Sequence, residues 1–330
     1  MKTPELLSDP VYHDEEAARL YLQEVRWPEG VYCPFCGTFD GIKPLGGDSM
    51  GPGWFYCETC QDKFTVRVRS VFERSHIPLH KWLLAFRLMA SSKKGCSAHQ
   101  LHRTLGITYK SAWFLAHRIR EAMKPFEPPT LGGEGKVVEA DDTYFGPEAK
   151  GLHAKDNWQF VNGVGWVPKV TDKKQKIVTL VERDGKVVSV HVNDLTAATV
   201  LSIFQAFGDK QSRLNTDEGR QYMQPGRYFA AHETVNHGEE EYARDGAVGR
   251  VTTNTVEGYF GVFKRGMRGT YQHCGDRHLH RYLAEFDFRH NNRKALGVED
   301  AERTERALKG AAGKRLTYRR TRRDAAAEVA

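Results

Sequence analysis

Nowhere in the 330 residues does an uninterrupted apolar run reach the length of about 18 needed to cross a bilayer as a helix, which excludes an ordinary membrane-spanning segment. Cysteine is scarce: six residues are too few to make a disulfide scaffold of a chain this long. Internal repeats and long low-complexity tracts are missing, and 40% hydrophobic residues exclude a chain too polar to form a core. The first ten residues, MKTPELLSDP, carry acid early and no apolar core, so no secretory signal is expected and a reducing compartment is. An excess of acid is also missing. Lys and Arg number 49 against 42 Asp and Glu, a formal net charge of +7, and such a surplus favours acidic partners, nucleic acid first among them.

The positive charge is concentrated. From Gln61 to Lys124 there are thirteen Lys/Arg and three Asp/Glu, whereas acidic clusters fall in the middle of the chain. The clearest boundary is Pro125-Phe126-Glu127-Pro128-Pro129 with the glycine-rich stretch behind it, where a helix must end. About two domains suit this length. The expected division is 1–75 for an N-terminal helix and a four-cysteine segment, 76–126 for a helical hairpin, 127–300 for a mixed α/β domain and 301–330 for a basic tail.

Residues 13–25 have the periodicity of an amphipathic helix, as do 78–91, and 97–123 read as helix, tight turn and helix. Beyond the boundary the pattern predicts a strand over 137–146, two strands over 176–182 and 186–193 joined at Arg183-Asp184-Gly185, and a helix over 195–207. A strand over 212–217 and helices over 254–267 and 276–289 follow. Residues 147–174 read as an exposed insertion. Strands mixed with helices define an α/β domain.

Cys33-Pro-Phe-Cys36 and Cys57-Glu-Thr-Cys60 are two CxxC pairs separated by twenty residues. Each pair can present two sulfurs from a tight turn, and two such knuckles give a tetrahedral four-thiolate site suited to structural Zn²⁺. With no open coordination position, that ion would serve folding rather than chemistry. Cys96 and Cys274 have no partner at ligand spacing and read as ordinary thiols. Ser97–Met123 fits a DNA-binding helix-turn-helix with Thr108 or one of its neighbours as the cap of its second helix. Lys110 would lie at the tip of that helix, with Arg118 and Arg120 further along it and Arg67 and Arg69 behind the last cysteine. All five are candidate DNA contacts.

In Val137-Val-Glu-Ala-Asp-Asp-Thr-Tyr-Phe-Gly146, carboxylates sit in an otherwise apolar strand, where burial costs several kcal/mol unless a cation compensates. Strand alternation puts Glu139 and Asp141 on one face and Asp142 on the other. Asp217 closes another strand, and Glu257 falls on the first turn of a later helix. Acids on three separate elements form the set that phosphoryl transfer with two divalent ions about 4 Å apart requires. Asn254 competes with Glu257 as third ligand. It also occupies an N-cap position, which would make Asn254 and Glu257 a capping-box pair.

The segments VEADDTYFG, NTDEGRQY, TTNTVEGYFGVFKRGMRGTYQHC and HLHRYLAEFDFRHNNR resemble the catalytic domain of DDE transposases from bacterial insertion sequences, and among these the ISXO2-like group. That group also carries an N-terminal zinc ribbon and a helix-turn-helix, so the resemblance covers roughly residues 15–295. It implies an RNase H-like fold, with Asp141, Asp217 and Glu257 as the catalytic acids holding two Mg²⁺ or Mn²⁺. Lys264, two helical turns beyond Glu257, is implied as a contact to the DNA end. The implied partners are double-stranded DNA, both element ends and target, and further copies of the chain, a homodimer or larger. The implied location is the bacterial cytoplasm at the nucleoid. The chain departs from the group's pattern at Asp142, where Glu is usual. A regulator derived from a transposase and a structure-specific nuclease are the alternative readings.

Overall fold

The computed structural model describes residues 8–47, 50–146, 158–161, 163, 165–168, 174–239, 241–246 and 249–317. The chain divides into two compact units: Met1–Glu127 with Ala284–Ala330, and Pro128–Leu283. The first break falls within the proline-rich linker that the sequence marks as a boundary.

In the first unit, α1 (Glu15–Arg26) starts at Asp14, whose side chain accepts from the Ala17 amide at 2.7 Å, and Glu15 and Glu16 complement the helix N-terminus. Its buried stripe is Ala18, Leu22 and Val25. Strands β1 (Ile42–Leu45), β2 (Trp54–Cys57) and β3 (Lys63–Thr65) form a three-stranded antiparallel sheet in that order. Buried Trp27 meets Tyr32, Phe55 and Phe64 edge to face at 5.7–6.2 Å, so aromatic packing supplies much of the core of this small sheet.

Three helices follow: α2 (Leu79–Ser91), α3 (Ala98–Leu105) and α4 (Tyr109–Met123). Gly106 ends α3 in the left-handed conformation (φ 60°, ψ 40°), which glycine adopts without steric cost. Two residues on, the Thr108 hydroxyl accepts from the Ser111 amide and opens α4, as expected.

In the second unit, β4 (Val137–Phe145) is followed by the hairpin β5 (Trp158–Val161) and β6 (Gly165–Pro168), then β7 (Gln175–Glu182), β8 (Val187–Val192) and α5 (Ala197–Phe207). Next come β9 (Arg213–Asp217), the short α6 (Arg220–Met223), β10 (Ala231–Val235), the hairpin β11 (Ala243–Gly246) and β12 (Gly249–Thr252), and α7 (Asn254–Gly266). The central sheet has the order β10-β9-β4-β7-β8, with β7 antiparallel to both its neighbours and β4, β9 and β10 parallel. The expected insertion over 147–174 lies largely outside the described residues, and the part described is the β5–β6 hairpin.

The two faces of the central sheet differ. Val138, Ala140, Val178, Leu180 and Leu214 pack with Val200, Ile203 and Phe204 of α5 and with Tyr222. The opposite face carries Glu139, Asp141, Asn215 and Asp217, as strand alternation requires.

Helix α8 (Asp276–Asn291) begins in the second unit and ends in the first, and α9 (Asp300–Lys309) belongs to the first. Two expected boundaries are thereby corrected. Residues 284–299 group with the N-terminal unit, and the tail expected from 301 opens as a helix whose Ala307 and Leu308, with Ala311 behind them, enter the core shared with α1, α2 and α4. Arg303 fixes α9 by donating to the carbonyls of Asn292, Val298 and Ala90. Of the basic run over 309–323, residues 318–323 lie outside the described residues.

Candidate active site and metal centre

The four cysteines converge. Cys33 Sγ lies 3.5 Å from Cys60 Sγ and Cys36 Sγ lies 3.7 Å from Cys57 Sγ, and all four sulfurs fall within 4.8 Å of one another. A Zn–S bond of about 2.3 Å gives a tetrahedron with edges of about 3.8 Å, so the cluster has the size a zinc ion requires. The Cys33 sulfur also accepts from the Phe35 amide at 3.4 Å. Arg69 covers this knuckle, its guanidinium 5.1 Å above the Phe35 ring and bonded to the Pro34 carbonyl.

In the second unit, the ladder between β4 and β9 ends at the pair Glu139↔Asn215. Two residues further along each strand, on the same face, stand Asp141 and Asp217. The strands therefore part where the acids sit. Asp141 is largely buried, and its carboxyl is pushed up to about 7, first by desolvation and then by the like charges of Asp217, Asp142 and Glu257. Asp217 is oriented by the Gly219 amide, which donates to its Oδ1 at 3.0 Å. Asp142 takes the other face, where the Tyr222 hydroxyl and the Gln221 amide each donate to it at 2.8 Å.

Glu257 sits on the first turn of α7 and accepts from the Thr253 hydroxyl at 2.9 Å. The capping-box expectation for Asn254 and Glu257 is corrected here. Thr253 is the N-cap, Asn254 is the first helical residue, and the Asn254 amide is bonded to the Thr252 hydroxyl. The α7 amides are satisfied instead by Glu139. This carboxylate is fully buried, accepts from the Thr255 and Val256 amides at 2.7 and 3.2 Å and from the Thr255 hydroxyl at 2.9 Å, and pairs with Arg183 at 2.9 Å. Three donors and a guanidinium offset the cost of burying this carboxylate. The sequence puts Glu139 on the acid face but gives no sign of its partners, which lie more than forty residues away.

The three acids do not close on a single point. Among the described residues, the four cysteines are the only group of His, Cys, Asp or Glu with all ligand atoms within 4.8 Å.

Other expected site residues fall in different places. Lys110 is exposed on the first turn of α4, and Lys264 is half-buried with its ammonium 5.8 Å from the centre of the Phe260 ring. Arg118 and Arg120 are corrected. Arg118 is buried and donates to the carbonyls of Val71, Glu73 and Leu316, and Arg120, 2% exposed, is ion-paired at 2.6 Å with Glu285, itself 0% exposed. Both lie on the inward side of α4, so neither can reach a phosphate. Arg67 is likewise turned inward to the Ser75 and Ile77 carbonyls and to Glu15. His232, which is not among those expected residues, lies on the far face of the sheet beside Leu214 and is bonded to the Thr216 hydroxyl.

A mixed five-stranded sheet with acids at the parting of its central strands and a four-cysteine cluster are found here in a chain whose two family matches are both to transposase domains. Residues 130–291 match the family model of the ISXO2-like transposase domain, and residues 13–63 match that of the transposase zinc-ribbon domain, more than half the chain between them. The chain belongs to the ISXO2-like transposase family. It is 28% identical over 289 residues to a protein described as an uncharacterized protein in transposable element ISH50, from Halobacterium salinarum (strain ATCC 700922 / JCM 11081 / NRC-1). That alignment covers 86% of this chain and 94% of the relative. The match to the transposase domain implies an RNase H-like fold, with which the strand order agrees. Among the described residues no helix is long and apolar enough to cross a membrane.

Proposed function

We propose that the protein is an insertion-sequence transposase that binds the terminal inverted repeats of its element, cuts DNA there and joins the freed end to target DNA. The observation that carries this reading is the position of Asp141, largely buried where β4 and β9 part, on the face it shares with Asp217 and close enough to Glu257 for their like charges to raise its carboxyl. Crowded carboxylates of this kind fit a divalent cation, whose charge relieves their repulsion. Asp141, Asp217 and Glu257 would hold two Mg²⁺ or Mn²⁺, which when bound supply activation of the attacking oxygen and stabilisation of the leaving one. Glu257 is favoured over Asn254 as third ligand because a carboxylate serves a hard cation better and because its charge reaches Asp141.

The chemistry needs no covalent enzyme intermediate. Water attacks the phosphodiester at the element end, the bond to the 3′ oxygen breaks, and a 3′-hydroxyl and a 5′-phosphate result. That hydroxyl then attacks a target phosphodiester in line, forming one new P–O bond and releasing a target 3′-hydroxyl. Two ends must be joined, so at least two copies of the chain would assemble on DNA. The ribbon and the α3–α4 hairpin would recognise the ends, with Lys110 and Arg69 as exposed cations.

The test is incubation with a duplex carrying the element's terminal repeat and Mg²⁺ or Mn²⁺, followed by mapping of cut ends and joined products. Cutting and joining are expected. Cutting without joining would make the protein a nuclease, and binding without cutting would make it a regulator.

A further inference from the structure

A cleft of about 440 Å³ opens in the second unit, away from the acids, between the end of β4 and the end of α7. Tyr144, Phe145, Lys264, Arg268, Gln272 and His273 line it, and among the described lining residues there is no acid. We infer that this cleft binds one unpaired nucleotide of the DNA strand being processed, its base against Tyr144 and its phosphate between Lys264 and Arg268. The inference rests on the transposase reading for the identity of the strand.

Four observations converge on it. The chemistry is two-sided: aromatic residues from the end of β4 and cations from the end of α7 and the turn behind it line the same cleft. Tyr144 is 46% exposed although aromatic, and Phe145 beside it is fixed edge to face on Phe263 at 5.9 Å. Bases of any sequence stack on such a platform, and Lys or Arg supplies the phosphate contact. The size also selects. About 440 Å³ lies in the range of small-ligand pockets, large enough for one nucleotide and far too small for a duplex.

The backbone is also deformed to build this wall. After α7 the chain makes a π-helical turn over Met267–Tyr271, and Gln272 then takes φ 60°, ψ −50°. A left-handed φ at a non-glycine residue with that ψ is strained, and π turns are frequent at functional sites. Here the strained residue lines the cleft.

Position completes the argument. Phe145 is four residues beyond Asp141, roughly 13 Å along a strand, and Lys264 is seven residues beyond Glu257, roughly 10 Å along a helix. Both rulers put the cleft about three or four stacked nucleotides from the acids, at 3.4 Å per step.

The test uses the full chain and two 20-base-pair duplexes, one fully paired with internal 2-aminopurine and one with a single 2-aminopurine overhanging at a 3′ end. The overhang should be quenched at least fivefold more than the paired base. Tyr144→Ala should abolish the difference, Tyr144→Phe should keep it, and Arg268→Ala should weaken overhang binding roughly tenfold. Melting curves would establish that the variants fold. Equal quenching of the two duplexes, or wild-type quenching in Tyr144→Ala, overturns the proposal. So does tighter binding of free deoxyadenosine monophosphate than of the overhang, which would mark a small-molecule site. If the overhang binds as expected but the wild-type protein never cuts DNA, the transposase reading falls while the cleft stands. If the protein cuts and joins DNA but the overhang is not distinguished, the reverse holds.

Discussion

Glu139 and Thr255 are bonded twice, through the Thr255 amide at 2.7 Å and its hydroxyl at 2.9 Å, and each stands two residues before a candidate catalytic acid. Glu139 precedes Asp141 on β4, and Thr255 precedes Glu257 on α7. One contact across 116 residues of chain therefore sets the spacing of two acids.

Glu139→Gln removes the charge that Arg183 and the α7 amides are arranged around. Breaking a buried pair from one side costs about 3 kcal/mol or more, which for a unit of this size lowers the melting temperature by roughly 6–12 °C. Calorimetry should find that drop. Cleavage of terminal-repeat DNA should fall at temperatures where the variant is still folded, because the acids lose their spacing. Undiminished cleavage there would show that Glu139 serves stability alone.

Asp141→Asn should abolish strand cleavage while leaving binding of the element end intact, as gel shift and cut-end mapping on one substrate would establish. The same substitution has a pH signature. The native carboxyl keeps its proton up to about 7, whereas an unfolded chain releases it near 4. Between those values the unfolded state binds fewer protons, so stability falls as pH rises through the window. In magnesium-free buffer, Asp141→Asn should be more stable than wild type at pH 8, on the order of 2 kcal/mol, with the gap closing near pH 4. Urea midpoints at both pH values measure it.

Arg120 and Lys110 share a helix and should behave oppositely. Arg120→Ala leaves Glu285 buried with one guanidinium fewer and should cost about 3–5 kcal/mol of stability. Lys110→Ala should leave the melting temperature unchanged and reduce the slope of log binding constant against log salt by about 1, if the ribbon and hairpin hold DNA as proposed.

Chelation, or Cys57→Ser, should release one zinc ion per chain and loosen the packing of Trp27 against Tyr32, Phe55 and Phe64. A red shift in tryptophan emission with loss of zinc by elemental analysis is the expected pair of signals. Retained emission after complete zinc loss would mean the aromatic core stands without the metal.

The sequence is most legible where chemistry is local. CxxC spacing marks the metal cluster, alternation along 137–146 assigns Glu139, Asp141 and Asp142 to their faces, and Thr108 marks the start of α4. It is least legible where a side chain's role depends on distant partners. Arg118 and Arg120 have the same local pattern as DNA contacts, and only Val71, Glu73 and Glu285 reveal that they point inward. Asn254 has the composition of a cap, yet a carboxylate on another strand takes that task. The basic run behind α9 hides an apolar stripe at Ala307, Leu308 and Ala311, spaced closely enough to be outweighed by the charges around it.

Because α9 completes the core of a unit whose other helices come from the first 127 residues, synthesis of the chain has an unavoidable order. The ribosome finishes the acid-bearing unit before the residues that seal α1, α2 and α4 have been made. A nascent or truncated chain ending before residue 300 therefore leaves the sides of α1, α2 and α4 that α9 packs on open to solvent or to chaperones, and loss of the last helix would disable the zinc-bearing half first.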